Sequence, residues 1–258
     1  MLAGPSLAMS LMGLLFWQVA AQPPDVVPVT KPRWNTGDSW IVQTSTAQVQ
    51  ERHSADAGAR RQKAVWQFRV EGNEQLGPDN CLKVAVTCSS SSNKSPVVIF
   101  WADEATGQLR QVQTNIPSQG KIRSAVERYD SDLKSSAVMG TLSALPLDMP
   151  SFSQEENEAK DSKYRVFGAP VGAKDAGLIG FGYQVHQAAK QADPEFIRKT
   201  LPDGLAKSVD PKTCVDVSLT DGQRTVRQLW SDGDSWPAYS NNGITESWLV
   251  SVKKANEQ

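Results

Sequence analysis

Between Ser39 and Val252, one short segment after another places apolar residues at every second position. Trp66, Phe68 and Val70 alternate with Gln67, Arg69 and Glu71. Leu82, Val84 and Val86 alternate with Lys83, Ala85 and Thr87, and Phe181, Tyr183 and Val185 with Gly182, Gln184 and His186. Near the C-terminus Trp248, Val250 and Val252 share one face. Successive strand residues point to opposite sides, so each segment fits a sheet with two unlike faces. Pro96 to Trp101 is continuously apolar and suits a central strand. Ser39–Val49, Gln108–Asn115, Lys121–Asp130, Thr213–Leu219 and Thr225–Trp230 complete the series. Glycine turns at Asp103–Gly107 and Asp221–Gly222 separate neighbours by a few residues, which only antiparallel pairing allows. Helix signals are few. Asp193-Pro194-Glu195 offers a cap, a proline at the first helical position and an acid in the first turn, and Pro202-Asp203-Gly204 stops that helix. A second short helix is expected from Asp132 to about Met139, ended by Gly140 and the Pro146/Pro150 pair. The expected fold is mainly β: a single curved antiparallel sheet or open half-barrel with a few short helices.

Residues 1–21 carry no charge, and Leu7 to Val19 is rich in Leu, Met, Ala and Phe. Val19-Ala20-Ala21 supplies the small residues of a signal-peptidase site. The apolar run is shorter than the roughly 20 residues of a spanning helix, although an uncleaved anchor is the competing reading. Cleavage after Ala21 would leave 258 − 21 = 237 residues at the same net charge of −1. The expected organisation is a signal peptide at 1–21, a proline-rich extension at 22–32 and one β-rich domain at 33–253. The destination is periplasmic or extracellular, with no spanning helix in the mature chain.

Charge and composition exclude several classes. The 27 Lys+Arg balance 28 Asp+Glu, so no electrostatic case exists for a nucleic-acid partner. Two histidines leave little for metal sites or proton shuttles, and neither metal nor cofactor is expected. Gly177 to Gly182 is glycine-rich but lacks the G-x-G-x-x-G order. Phosphate-loop, nucleophile-elbow and zinc-protease patterns are absent from the sequence. His53 lies in a polar stretch and His186 on the polar face of its strand, so both read as surface histidines. Asp232 and Asp234 open a calcium-loop spacing, but Trp236 and Pro237 occupy the positions where the loop needs an acid or amide and then glycine. Asn93-Lys94-Ser95 is an N-glycosylation acceptor pattern. No catalytic residue is assigned.

One internal echo stands out. Trp34-Asn35-Thr36-Gly37-Asp38-Ser39-Trp40 and Trp230-Ser231-Asp232-Gly233-Asp234-Ser235-Trp236 share W-x-x-G-D-S-W. Each is expected to be a glycine turn flanked by indoles. Those four Trp either plug the ends of the core or form an aromatic platform for sugar rings; large aromatics favour the first.

The cysteines are Cys81, Cys88 and Cys214, an odd number for an exported chain. Cys81 and Cys88 lie at opposite ends and on opposite faces of one strand, so they cannot pair. Cys88 shares the apolar parity and is expected to be buried as a free thiol. If any pair forms, parity favours Cys81 with Cys214; three free thiols is the other reading.

Trp101-Ala102-Asp103 with Thr106-Gly107-Gln108-Leu109-Arg110, following the Trp66 and Val84 strands, resembles the consecutive hairpins of exported bacterial proteins of the LolA/LolB-like superfamily. The likeness spans about residues 60–130. It implies an open antiparallel half-barrel, helices plugging one side, and a role in carrying acyl chains or as an envelope module; the scarcity of helix signals departs from that pattern. The function expected first is an exported, non-catalytic binding module whose partner is a lipid, another apolar ligand or an envelope component. A carbohydrate-binding or surface-interaction domain and a hydrolase using a carboxylate pair are the alternatives.

Overall fold

The computed structural model describes residues 27–47, 61–89, 96–118, 121–130, 137–140, 145–152, 162–168 and 179–256. The expected signal segment, His53 and the Asn93 acceptor lie outside these residues. Twelve strands and two short helices are described: β1 (Ser39–Ala47), β2 (Arg61–Leu76), β3 (Asp79–Cys88), β4 (Val98–Asp103), β5 (Leu109–Ser118), β6 (Lys121–Asp130), β7 (Ser162–Gly168), β8 (Ile179–Gln191), α1 (Pro194–Thr200), α2 (Asp203–Ser208), β9 (Cys214–Thr220), β10 (Thr225–Ser231), β11 (Tyr239–Asn241) and β12 (Thr245–Lys253). The strands form one antiparallel sheet in chain order from β2 to β12. β1 pairs on both sides, with β2 from Ser39↔Arg69 and with β12 from Ser39↔Lys253, so the sheet curls until the two ends of the series meet. The mainly β, single curved antiparallel sheet expected from the sequence is therefore present.

The period-two pattern accounts for the wall. Trp40 and Val42 of β1, Phe68 and Val70 of β2, Val84 and Val86 of β3, and Val215, Val217 and Leu219 of β9 all turn to one inner core. The ladders slip at Ile41/Val42, Val70/Gly72 and Trp101/Ala102. Such irregularities bend strands and raise twist, as a sheet must to curl.

A curl of this many strands encloses more space than its own inward side chains fill, since about eight strands already suffice to hold them. The residues after β6 supply the remainder. Ala137 to Gly140 and Leu145 to Phe152 lie inside, and Val138, Met139, Leu145, Leu147 and Met149 are fully buried. Val138 and Met149 pair across this inner hairpin. A methyl on Gly140 would stand 3.2 Å from the Leu147 carbonyl carbon, so the two limbs approach too closely for a larger residue. The second expected helix is corrected here: Ala137–Gly140 is extended, and the part of it at 131–136 lies outside the described residues.

The helices lie on the outer face. α1 begins as expected, with the Asp193 carboxylate accepting from Glu195 N–H at 2.8 Å. Pro202-Asp203-Gly204 ends α1 but also begins α2, because a proline that cannot continue one helix can precede the next. Ile197 of α1 and Leu201, its C-cap, pack with Cys214, Leu229, Ala238 and Tyr239 as a second, outer core. Arg227 grips the buried Asp216 through two bonds of 2.8 and 2.7 Å, and its guanidinium lies 3.4 Å from the centre of the Phe196 ring. The helices thus cover the outside of the sheet, whereas the LolA/LolB-like likeness implied helices plugging one side.

Candidate functional site

The structure gathers three of the four tryptophans singled out by the echo. Trp34 stacks on Trp40 with ring centres 5.7 Å apart, and Trp40 stacks on Trp236 at 5.9 Å. Phe68 and Phe100 complete the cluster, 4.9 and 6.0 Å from Trp236. Trp230 stands elsewhere, edge-on to Phe152 at 5.3 Å, with its indole N–H donating to Gln228. All four are buried, Trp34 most exposed at 7%. An aromatic platform for sugars needs accessible ring faces, so Trp34, Trp40, Trp230 and Trp236 fit the first reading of the echo, indoles that fill the core.

The two echo turns meet beside this cluster. Trp34 Nε1 donates to the Ser235 carbonyl at 2.7 Å, joining one turn to the other. Asp38 is almost fully buried and accepts from the amides of Asn35 and Ala255 at 3.0 and 2.8 Å. Lys254 donates to the Asp38 carboxylate, the Ser235 hydroxyl and the Arg33 carbonyl. Asp234 faces Lys254 less closely. Burial raises its carboxyl to about 6, against the opposing pull of Lys254. This corner is a structural clasp between the turn before β1 and the residues after β12.

None of the three cysteines is in a disulfide. Cys81 on β3 and Cys214 on β9 are both buried, but the strand order puts them six steps apart in either direction round the curl. Strands lie about 4.8 Å apart, and a disulfide needs Cα atoms within about 7 Å, so the favoured pairing does not form. Burial pushes Cys81 up to about 12, with Asp103 and Asp79 adding to the shift, and pushes Cys214 up to about 11. Both are therefore poor nucleophiles. Cys88, opposite Trp66 at the end of β3, is only half-buried, because its strand ends there.

A second raised carboxyl is Asp148, in the inner hairpin. Its Oδ1 accepts from Gly140 N–H at 2.9 Å, and burial lifts it to about 6 while Arg224 pulls the other way. Asp148 and Asp234 sit in separate surroundings, one inside the sheet and one at the Lys254 corner. They do not form the converging acid pair of a glycosidase.

Among the described residues, a groove of about 570 Å³ lies on the outside of the sheet and is shaped for a ligand. Its floor is the outer face of β1 and β12, from Gln43, Ser45, Trp248 and Val250, with Lys63 of β2 beside it. α2 forms the opposite wall through Pro202, Gly204, Leu205 and Ser208. Trp248 is held by its indole N–H, which donates to the Thr200 carbonyl at 3.2 Å. Val250 is 55% exposed, a large apolar surface kept in water. Two residues before Lys63 on β2, Arg61 pairs with Glu246 at 2.8 Å. The inner hairpin packs against the inner face of the sheet, and the groove lies on the opposite face. The groove draws on residues from 43 to 250, and only the one-faced Trp248–Val250 pair hinted at it.

No protein-family model and no curated protein matches the chain. A solved structure from Bacteroides fragilis, described as a "putative exported protein with YmcC-like fold", is similar over 88% of this chain and 100% of its own, at 10% identity and a TM-score of 0.31. An overlap that loose carries neither topology nor function across. Among the described residues no helix is long and apolar enough to cross a membrane.

Proposed function

We propose that this chain is an exported, non-catalytic binding module that holds the alkyl tail of a single-chain anionic amphiphile in the outer groove. The observation that carries the reading is the groove itself. Its volume of about 570 Å³ falls within the 300–1,000 Å³ of small-molecule sites. Trp248, Val250, Leu205 and Pro202 supply apolar walls, and Lys63 supplies one cation beside them. An alkyl tail against those walls gains about 0.8 kcal/mol for each methylene buried. A lone cation on the rim favours an anionic head. Export rests on the uncharged, Leu-rich segment at 1–21 and its small-residue cleavage pattern.

Calorimetric titration of the mature chain with laurate, below its micelle concentration, tests the reading. Saturable one-to-one binding is the expected result. Gly204→Phe tests the place: a side chain there starts in open space, so the variant fills the groove without strain. It should weaken laurate at least tenfold, and Lys63→Glu severalfold. Absence of saturable binding by the unaltered chain, or full binding by Gly204→Phe, overturns the assignment.

A further inference from the structure

One end of the groove carries more charge than its lining shows. Lys63 of β2 and Ser45 of β1 both line it, and they are register partners. On its other side Ser45 partners Glu246 of β12. Register partners share a face, so the three stand in one row outside the sheet. Two strand spacings put Lys63 and Glu246 about 10 Å apart.

Arg61 lies across this row. It precedes Lys63 by two residues, so it shares the outer face. Its Nε donates to the Ser45 hydroxyl and its Nη2 to the Ser45 carbonyl, both at 2.9 Å. The same Nη2 stands 2.8 Å from Glu246 Oε2. A side chain from β2 thus reaches over β1 to β12. The second oxygen of Glu246 accepts from the Tyr239 hydroxyl and the Asn241 amide at 3.4 Å each, which holds the carboxylate in place. Lys63, by contrast, makes no ion pair among the described residues. Arg61 and Glu246 are 41% and 30% exposed, and a pair so open to water adds little to stability. Its consequence is for charge.

Resting on the reading of the groove as a site for an anionic amphiphile, we propose that the Arg61–Glu246 pair sets the head-group charge, admitting a singly charged head such as a carboxylate and disfavouring a doubly charged one such as a phosphate monoester. Lys63 pairs one negative charge. Arg61 follows about 7 Å along the strand, near enough to pair a second. Glu246 already takes that cation. A second charge on the head therefore stays unpaired beside a carboxylate, where partial loss of water makes it costly.

Calorimetric titration of the mature chain at pH 8 with laurate and with dodecyl phosphate, each below its micelle concentration, tests this. The tails are alike, and at that pH the first head carries one charge and the second nearly two. The unaltered chain should bind laurate more tightly. Glu246→Gln keeps the shape and an acceptor for Arg61 but removes the charge. The affinity ratio of dodecyl phosphate to laurate should then rise about fivefold, the effect of one charge at about 10 Å near a protein surface. Arg61→Gln leaves Glu246 uncancelled and should lower that ratio, which keeps the test available if the first variant does not fold. Octyl glucoside, an uncharged amphiphile, should bind all three chains alike, which separates head charge from damage to the groove. Tighter binding of dodecyl phosphate by the unaltered chain overturns the proposal. So does a raised ratio in Arg61→Gln, or a shift matched by an equal change toward octyl glucoside. Laurate bound with an unmoved ratio in Glu246→Gln overturns this inference alone, whereas an unaltered chain that binds no laurate overturns the groove reading and this inference with it.

Discussion

The turns at Gly37 and Gly233 share five of seven residues and do different work. In the first, both indoles enter one stack, and Asp38 is sealed beneath the C-terminal residues Lys254 and Ala255. In the second, Trp236 reaches the same stack, but Trp230 turns to the inner hairpin through Phe152, and Asp234 stays half-exposed. The first precedes β1, the strand that pairs with both β2 and β12. The second leads from β10 toward β11. One local pattern therefore serves as a clasp where the start of β1 meets the residues after β12, and as an ordinary corner elsewhere. What a turn does is decided by what lands on it.

The largest effect that separates the two should come from the tryptophans. Trp236 touches Trp34, Trp40, Phe68 and Phe100, whereas Trp230 makes one aromatic contact among the described residues. Truncating a buried Trp costs about 3–5 kcal/mol, with the cost set by how well the site collapses. Trp236→Ala should fall near the top of that range, since four rings lose a common neighbour, and Trp230→Ala near the bottom. Urea unfolding monitored by far-UV CD gives both values. Equal losses would mean that the stack is no tighter than the rest of the core.

Next come the carboxylates. Asp38→Ala strips two amides and Lys254 of their acceptor in a buried place, which costs about 2–3 kcal/mol. Asp234→Asn should do the reverse above neutrality. Its raised carboxyl contributes stability below about 4 that is lost as pH rises through about 6, and the amide cannot lose it. Melting temperature followed from pH 4 to pH 8 should decline less steeply in Asp234→Asn than in the unaltered chain. An unchanged slope would assign the whole decline to Asp148.

The sequence made the wall legible and left the filling unread. Every alternating segment proved a strand, because period two is a local property that the residue itself reports. β11 escaped since Tyr239–Asn241 is too short to show a period. β7 escaped because the hydrophilic run Ser153–Lys163 reads as a loop that overlaps the first residues of the strand. The hairpin at 137–152 was opaque for a different reason. Val138, Met139, Leu147 and Met149 are apolar without period, since they face a surface supplied by distant strands. The Cys81–Cys214 pairing failed on the same ground: parity names a face but not a position round the curl. The groove was equally invisible, being built where α2, itself read as a stop, lies over β12.

The smallest effect concerns the two glycines, and it isolates the clasp from the corner most directly. Gly37 and Gly233 have φ of +93° and +82°, so an Ala at either meets nearly the same backbone penalty. That shared cost is about 1 kcal/mol. Space then differs. A methyl on Gly37 would stand 3.1 Å from the Ala255 Cβ, while one on Gly233 meets nothing within 4 Å. Ala255 is the residue whose amide is bound by Asp38, so it cannot retreat without stretching that bond. Gly37→Ala should therefore exceed Gly233→Ala by several tenths of a kcal/mol or more, and the excess should vanish when the chain is shortened to end at Lys254. A double-mutant cycle in urea reads the difference. An excess that survives the truncation would place the strain in the turn itself, and the clasp would then be a consequence of the fold rather than one of its supports.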